Sequence, residues 1–277
     1  MMEKSTIITY EKALERLIKM EIDYKDTNNL IERLKKKRIN KSNMRLYLSA
    51  ILWYYKINNI NRQYFENIRV EISNINKEIM DQYGLNKLND KEKEIYLEWG
   101  EIVNMYNKLY VNRTKSLTQF KKCITIGLYV KFPPRRIKDY NRMIAIQTED
   151  NVNNNKNYYI ISSGMFIFNN YKTKKKYGSQ RFPVPIELRN LLDEYIEKYK
   201  LHDKEIINLS ENDLSEKIKR IIKGNTGKGA TVNTLRHSYI SYMNNTGQIN
   251  STNNKKNLAS MMGHSHIVQQ DVYVKLP

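Results

Sequence analysis

The chain contains little cysteine, proline or glycine and has no long apolar run. Its 277 residues include a single cysteine, Cys123, which excludes an internal disulfide and leaves no cysteine spacing of the kind that binds zinc. No apolar stretch approaches the roughly 18 residues of a membrane-spanning helix, and no signal-peptide pattern precedes the first predicted helix. These absences predict a soluble, intracellular protein that does not associate with membranes.

Acidic residues are scarce relative to basic ones. Lys and Arg number 48 against 29 Asp and Glu, so the formal net charge is +19. A charge of this size favours binding to a polyanion, because neutralised phosphates release their condensed counterions. Nucleic acid is therefore the first partner to consider, and we prefer it to the competing explanation, a charged membrane surface. A background of Asn, Lys, Ile and Tyr, typical of an A+T-rich genome, accounts for part of the charge.

The N-terminal part of the chain predicts a bundle of short helices. Apolar residues recur at helical spacing in four stretches, at about residues 10–18, 30–34, 44–55 and 64–79. Ser42 is the expected N-cap of the third helix. A basic run joins the second and third helices, and we expect it to contact DNA phosphates, although such runs are also common on solvated faces. This run comprises Lys35, Lys36, Lys37, Arg38, Lys41 and Arg45.

Residues 81–90 break the helical periodicity and predict a linker between two domains, 1–84 and 88–277. In the second domain, Ser116 begins a helix that buries Cys123, and Ser210 begins one that Gly224 ends. Runs rich in β-forming residues predict strands at 143–146, 158–162, 165–168, 181–184 and 206–209. The fold class is therefore α+β, mainly α with a small antiparallel β-sheet.

The last forty or so residues combine three side chains suited to attack on a phosphodiester. A predicted helix carries Arg236, a turn presents His264, and a final helix presents Tyr273. A tyrosine hydroxyl can act as the nucleophile. The arginine offers a planar fork of donors to phosphate oxygens, and the histidine can donate a hydrogen bond or transfer a proton.

The order and spacing of these residues resemble the C-terminal signature of the tyrosine recombinases. Leu235–Ser238 reads Leu-Arg-His-Ser, Met262–Ser265 reads Met-Gly-His-Ser, and Tyr273 stands nine residues after His264. The resemblance implies a catalytic domain of that family behind an N-terminal core-binding-like domain. It also implies cleavage and rejoining of double-stranded DNA through a 3′-phosphotyrosine, with no metal or nucleotide cofactor and with assembly into a tetramer on DNA.

The same resemblance suggests roles for residues nearer the centre of the chain. Arg136 with Asp139 fits the family's Arg-x-x-Asp register for the first catalytic arginine, and Arg135 does not. The Pro-Pro-Arg-Arg sequence at this point looks more like recombinases of eukaryotic DNA viruses and large transposons. The family's catalytic lysine lies in a β-hairpin, here the lysine-rich segment 169–178. We expect Lys172 to protonate the departing 5′ oxygen, with Lys174 as the second choice and a further DNA contact.

The chain departs from the family at Asn233, where a histidine usually precedes the second arginine by three residues. Asparagine can donate a hydrogen bond to a phosphate oxygen but cannot act as a general base. Only four residues follow Tyr273, too few for the helix with which many relatives contact a neighbouring subunit. Two alternatives therefore remain beside a recombinase or integrase: a type IB topoisomerase-like enzyme, and a catalytically inactive DNA-binding relative.

Overall fold

The chain divides into two compact units, Met1–Leu85 and Asn86–Pro277. They are seen in a computed structural model that describes residues 2, 4–84, 88, 90–150 and 152–263. Among these residues, no helix is both long enough and apolar enough to cross a membrane.

The N-terminal unit is helical, and the four predicted helices are confirmed. They are α1 (Lys4–Lys19), α2 (Leu30–Lys36), α3 (Lys41–Ile57) and α4 (Gln63–Gly84). Their apolar stripes form one core around the fully buried side chains of Leu17, Leu34 and Leu48. The Tyr55 hydroxyl, buried in the same core, donates to the carbonyl of Tyr24 at 2.8 Å.

The N-cap of α3 is Asn40, so the expectation of Ser42 was wrong. Asn40 has an extended backbone, and its side chain accepts a hydrogen bond from the backbone N–H of Asn43 at 2.9 Å. Ser42 already lies inside the helix, where its backbone cannot adopt the extended geometry of a cap.

The C-terminal unit combines a set of helices with a small sheet, and side chains of both contribute to one main core. The helices are α5 (Asp90–Ile95), α6 (Trp99–Val111), α7 (Leu117–Val130), α8 (Ile137–Tyr140), α9 (Lys174–Tyr177), α10 (Ile186–Tyr199), α11 (Glu211–Thr226), α12 (Val232–Asn245) and α13 (Thr252–Met261). Helix α7 packs against α6 and α10, and it buries Phe120, Cys123 and Ile124 in the main core. Ser116 caps α7, as predicted, by accepting from the N–H of Gln119.

The sheet confirms the α+β class but is mixed rather than antiparallel. Its strands, in chain order, are β1 (Ile144–Ile146), β2 (Tyr158–Ile160), β3 (Met165–Phe168), β4 (Gln180–Pro183) and β5 (Lys204–Glu205). They lie in the order β4-β3-β2-β1-β5, and only β1 and β2 pair in parallel. The connection from β1 to β2 is long enough for the chain to return before pairing, whereas a tight hairpin forces antiparallel strands.

Two further boundaries differ from the sequence predictions. The strand predicted at 206–209 is instead β5. Ile206 and Ile207 both insert their side chains into the core, whereas successive residues of a strand point to opposite faces. Helix α11 passes through Gly224 and ends at Gly227, whose φ of 77° suits the left-handed cap that glycine favours. The lysine-rich segment between β3 and β4 also contains the short helix α9.

The buried thiol of Cys123 provides a test of the core around α7. Burial raises the pKa of Cys123 to about 12, whereas an unfolded cysteine titrates at about 8.5. The folded thiol therefore stays neutral at pH 9, and we expect a thiol reagent to modify it only after denaturation.

The same shift makes a pH-dependent contribution to stability. It is fully present below the unfolded pKa and is lost as pH rises towards the folded pKa, because the unfolded thiol ionises first. The free energy of unfolding should therefore fall more steeply between pH 8 and pH 10 for the wild type than for Cys123→Ala. Rapid modification of the native protein, or parallel pH profiles, would contradict this assignment.

Candidate functional site

Arg135 is buried where the chain leaves α7. Pro133 and Pro134 keep the chain out of helical geometry at that point, so the arginine points into the core rather than continuing the helix. Its side chain is 0% exposed. The guanidinium carbon lies 3.9 Å from the ring centre of Phe168 on β3. Arg135 therefore occupies an enclosed, partly aromatic pocket.

Each nitrogen of that guanidinium group donates a hydrogen bond. Nε donates to Oδ2 of Asp139 at 2.7 Å, and Nη2 donates to Oε1 of Gln180 on β4 at 2.9 Å. Nη1 donates to the carbonyl of Met261 at 2.6 Å, which lies at the end of α13. Arg135 thus ties together the segment after α7, the sheet and α13.

Asp139 lies in α8 and is also buried. Its carboxylate bonds to Arg135, four residues earlier, rather than to Arg136 of the Arg-x-x-Asp register. Burial raises the pKa of Asp139, and the positive charges of Arg135, Arg136 and Arg236 oppose that effect. The buried carboxylate therefore bonds to one guanidinium group and feels the positive charge of two more.

Arg136 and Arg236 reach the same end of α13 from different segments. Arg136 is partly exposed, and its Nη1 donates to the carbonyl of Gly263. Arg236, on the inward face of α12, is 0% exposed. Its Nη1 donates to the carbonyls of Pro134 at 2.6 Å and Met262 at 3.1 Å. The three arginines thus converge on the carbonyls of residues 261–263.

Gly263 is the last described residue and fits closely against this cluster. Its φ is 67°, in the region that favours glycine, and a Cβ placed there would lie 2.9 Å from Nη2 of Arg135. A side chain at this position would therefore displace the buried guanidinium group. His264, which follows directly, and Tyr273 lie outside the described residues.

The lysine-rich hairpin meets the arginine cluster through Thr173. Its hydroxyl donates to the carbonyl of Gly263 at 3.1 Å. The neighbouring Lys172 is exposed, and no hydrogen bond or ion pair of its ammonium group is found within the described part of the chain. Lys174 instead donates to the carbonyl of Asn154. Of the two candidate lysines, Lys172 is therefore the one without a competing contact there.

Asn233 is exposed on the first turn of α12, one helical turn before Arg236. Residues three apart on a helix are neighbours on its surface, so Asn233 lies on the solvent side of the arginine cluster. The cap of this helix is Thr231, whose side chain accepts from the N–H of Thr234 in a reciprocal capping arrangement.

Sequence reasoning missed three contributors: Arg135, Gln180 and Thr173. The presence of Asp139 shortly after Arg135 was a partial signal, because either of the two preceding arginines is close enough in the chain to bond to its carboxylate. Gln180 and Thr173 carried no such signal, since they reach the cluster through tertiary contacts with α13.

The basic run of the N-terminal unit is only partly available for binding. Lys35 pairs with Glu71 at 3.1 Å and Lys41 with Glu78 at 2.9 Å, both on α4. Arg45 donates to the side chain of Asn76 at 3.2 Å. Lys36, Lys37 and Arg38 are exposed and form no ion pair within the described residues. These three are the better candidates for phosphate contacts, although exposed pairs such as Lys41–Glu78 are weak and open readily.

The buried ion pair predicts different consequences for the two adjacent arginines. Arg135→Ala should lower the free energy of unfolding by about 3–5 kcal/mol, because it leaves the Asp139 carboxylate buried without its partner. Arg136→Ala should cost less than about 1 kcal/mol, since its side chain is partly exposed. Urea unfolding of the full chain measures both.

Arg135→Ala combined with Asp139→Asn is the control, because it removes the uncompensated carboxylate charge. The double variant should recover part of the lost stability. Equal stability of Arg135→Ala and Arg136→Ala would show that the buried pair does not support the fold.

Comparison with known proteins leaves the assignment to the residues themselves. No family model matches the chain, and no curated protein or solved structure matches it. The features of the chain that bear on its function are therefore the arginine cluster, the hairpin and the sequence that follows Gly263.

Proposed function

We propose that this protein is a site-specific DNA recombinase or integrase of the tyrosine type. One observation carries the proposal: arginines from two distant segments, with Thr173 of the lysine hairpin, meet at the carbonyls that immediately precede His264. A shared cationic cluster of this kind suits a phosphate whose charge increases during reaction.

The carbonyl contacts suggest how a phosphate would bind. Carbonyls of Met262 and Gly263 accept hydrogen bonds from Arg236 and Arg136. Non-bridging phosphate oxygens are acceptors with greater negative charge, so their bonds to guanidinium groups are stronger. A phosphate could therefore replace these carbonyls. Because Arg236 is fully buried, residues 262–263 must move for this exchange to happen.

Arg135 is poorly suited to contact substrate, since its three nitrogens already bond to Asp139, Gln180 and Met261. We assign it a positioning role: it holds the end of α13 against the sheet. Arg136 and Arg236 are then the arginines that bind the scissile phosphate.

In the proposed reaction, the Tyr273 oxygen attacks phosphorus and the bond to the 5′ oxygen breaks. The products are a 3′-phosphotyrosine and a 5′ hydroxyl, whose proton comes from Lys172. Water takes the tyrosine proton, because Asn233 cannot act as a base. Asn233 and His264 donate hydrogen bonds to the phosphate oxygens. A 5′ hydroxyl of a second duplex then attacks the phosphotyrosine and releases the enzyme, within a tetramer that holds both duplexes.

The burial of Arg236 also favours a second candidate, a DNA-binding relative that does not cleave. Its guanidinium group is bonded to the protein's own main chain, and Asn233 replaces the family's histidine. If the exchange with phosphate does not occur, the chain would bind DNA without breaking it.

Covalent trapping distinguishes the candidates. The substrate is a library of duplexes with randomised sequence, each carrying a nick so that the short fragment with the new 5′ hydroxyl diffuses away and the adduct accumulates. We expect wild-type protein to form a tyrosine adduct that survives denaturation and Tyr273→Phe to form none, although Tyr273→Phe loses no charge and should bind DNA equally well.

The outcomes separate cleanly. Transfer of the trapped strand to a second duplex supports a recombinase, whereas an adduct without such transfer, in a protein that relaxes supercoiled DNA, indicates a topoisomerase. DNA binding without any adduct supports the non-cleaving relative. An adduct formed by Tyr273→Phe would show that another residue is the nucleophile.

A substitution series at Asn233 tests whether this exposed position contributes a hydrogen-bond donor. Asn233→Leu keeps a similar volume and removes both polar groups, so it should cost about 1–3 kcal/mol of transition-state stabilisation. Asn233→His should preserve or raise the rate, because imidazole donates from a similar distance. Single-turnover cleavage rates are measured for the wild type and the two variants. Equal rates for the wild type and Asn233→Leu would exclude Asn233 from the chemistry.

A further inference from the structure

A second concentration of positive charge lies in the C-terminal unit, in a cleft between α6, α7 and α11. The cleft consists of two adjoining cavities of about 670 Å³ and about 530 Å³. Lys121 of α7 and Lys217 of α11 line both cavities, so these two cations lie where the cavities meet.

The larger cavity has six cationic side chains in its lining and no carboxylate; they are Lys108, Lys115, Lys121, Lys122, Lys217 and Arg220. Within the described residues, none of the six forms an ion pair. The smaller cavity adds Lys156 and Lys204 beside the carboxylates of Asp203 and Glu205. This differs from the N-terminal unit, where Lys35 and Lys41 are paired with glutamates.

The cations repel one another at close range. Burial, followed by the charges of Lys121 and Arg220, lowers the pKa of Lys217. Neighbouring positive charges disfavour the charged form of a lysine side chain. A bound anion would reduce this repulsion and would pair with the cations. The arrangement therefore favours a ligand with several negative charges.

The cleft is separate from the arginine cluster. Lys121 lies in the first turns of α7, and Arg135 follows the other end of that helix. The helix rises by about 14 Å along its axis from Lys121 to Val130. A single phosphate at the far end of α7 therefore cannot also contact Lys121.

We propose that this cleft binds the phosphate groups of a polyanion, at a site distinct from the arginine cluster. The phosphates can come from a nucleic-acid backbone or from a free polyphosphate, since both offer closely spaced anionic oxygens. The amide side chains of Asn112, Gln119 and Asn225 also line the larger cavity and can hydrogen-bond to the neighbouring parts of such a ligand.

Helix α11 supplies a matched pair of variants for the test. Lys217→Glu with Arg220→Glu changes the cleft, whereas Lys219→Glu with Lys223→Glu changes two cations of the same helix that do not line either cavity. Each variant loses two positive charges and gains two negative ones, so the change in net charge is identical. The corresponding pairs of glutamine substitutions repeat the comparison with a smaller perturbation if a charge reversal prevents folding.

Two probes separate the sources of phosphate: a fluorescent 30-base-pair duplex and inorganic tripolyphosphate. Binding is measured in the full chain carrying Tyr273→Phe, so that strand cleavage does not affect the result. We expect the cleft variant to weaken binding of at least one probe by on the order of tenfold more than the control. For the duplex, the slope of log affinity against log salt should also decrease by about 2, corresponding to two lost phosphate contacts.

A selective loss of duplex binding identifies a nucleic-acid backbone, and a selective loss of tripolyphosphate binding identifies a free polyphosphate. Equal weakening of both probes by the cleft and control variants overturns the proposal, because net charge alone would then explain it. The binding measurement does not depend on a covalent adduct. If covalent trapping fails, the recombinase proposal is wrong, and the result for the cleft still stands.

Discussion

The buried ion pair between Arg135 and Asp139 is the interaction on which the C-terminal unit most depends. Taking both charges out of water is costly, and the pair is stable only because each guanidinium nitrogen has an acceptor. Those acceptors belong to α8, β4 and α13, elements far apart in the chain. The pair therefore fixes the end of α13, and through it the point from which the chain continues to His264.

The sequence predicted the elements well where a local pattern decides them. The stripes of α1, α3 and α4, and the caps at Ser116 and Ser210, follow from side chains that act within one or two helical turns. The ends of helices were harder to predict where two nearby residues are equally suitable as the cap. Asn40 and Ser42 can both cap a helix, and Gly224 and Gly227 can both end one, so tertiary packing decides between them.

The adjacent arginines illustrate the same limit in the candidate site. Arg135 stands four residues before Asp139 and Arg136 three, so chain spacing alone does not decide which of them bonds to its carboxylate. What distinguishes them is burial against Phe168 and Gln180, which comes from the distant hairpin and cannot be read from local spacing. The sequence predicted that Arg136 and Arg236 would lie in one site, but it did not predict that Arg135 is the buried partner of Asp139.

The contacts of Arg136 and Arg236 with the carbonyls of residues 262–263 also occupy the donors that the proposed phosphate would need. A ligand that requires Arg236 can bind only the fraction of molecules in which these carbonyl contacts are open, and its apparent affinity is the intrinsic affinity multiplied by that fraction. If about 1% of molecules were open, the apparent affinity would be about a hundredfold weaker than the open site alone would provide. Isolated phosphodiesters would then be held weakly, and only a substrate with additional contacts elsewhere on the protein would reach the arginines. Selectivity for a long, multiply bound substrate would follow from a hydrogen bond to the protein's own backbone.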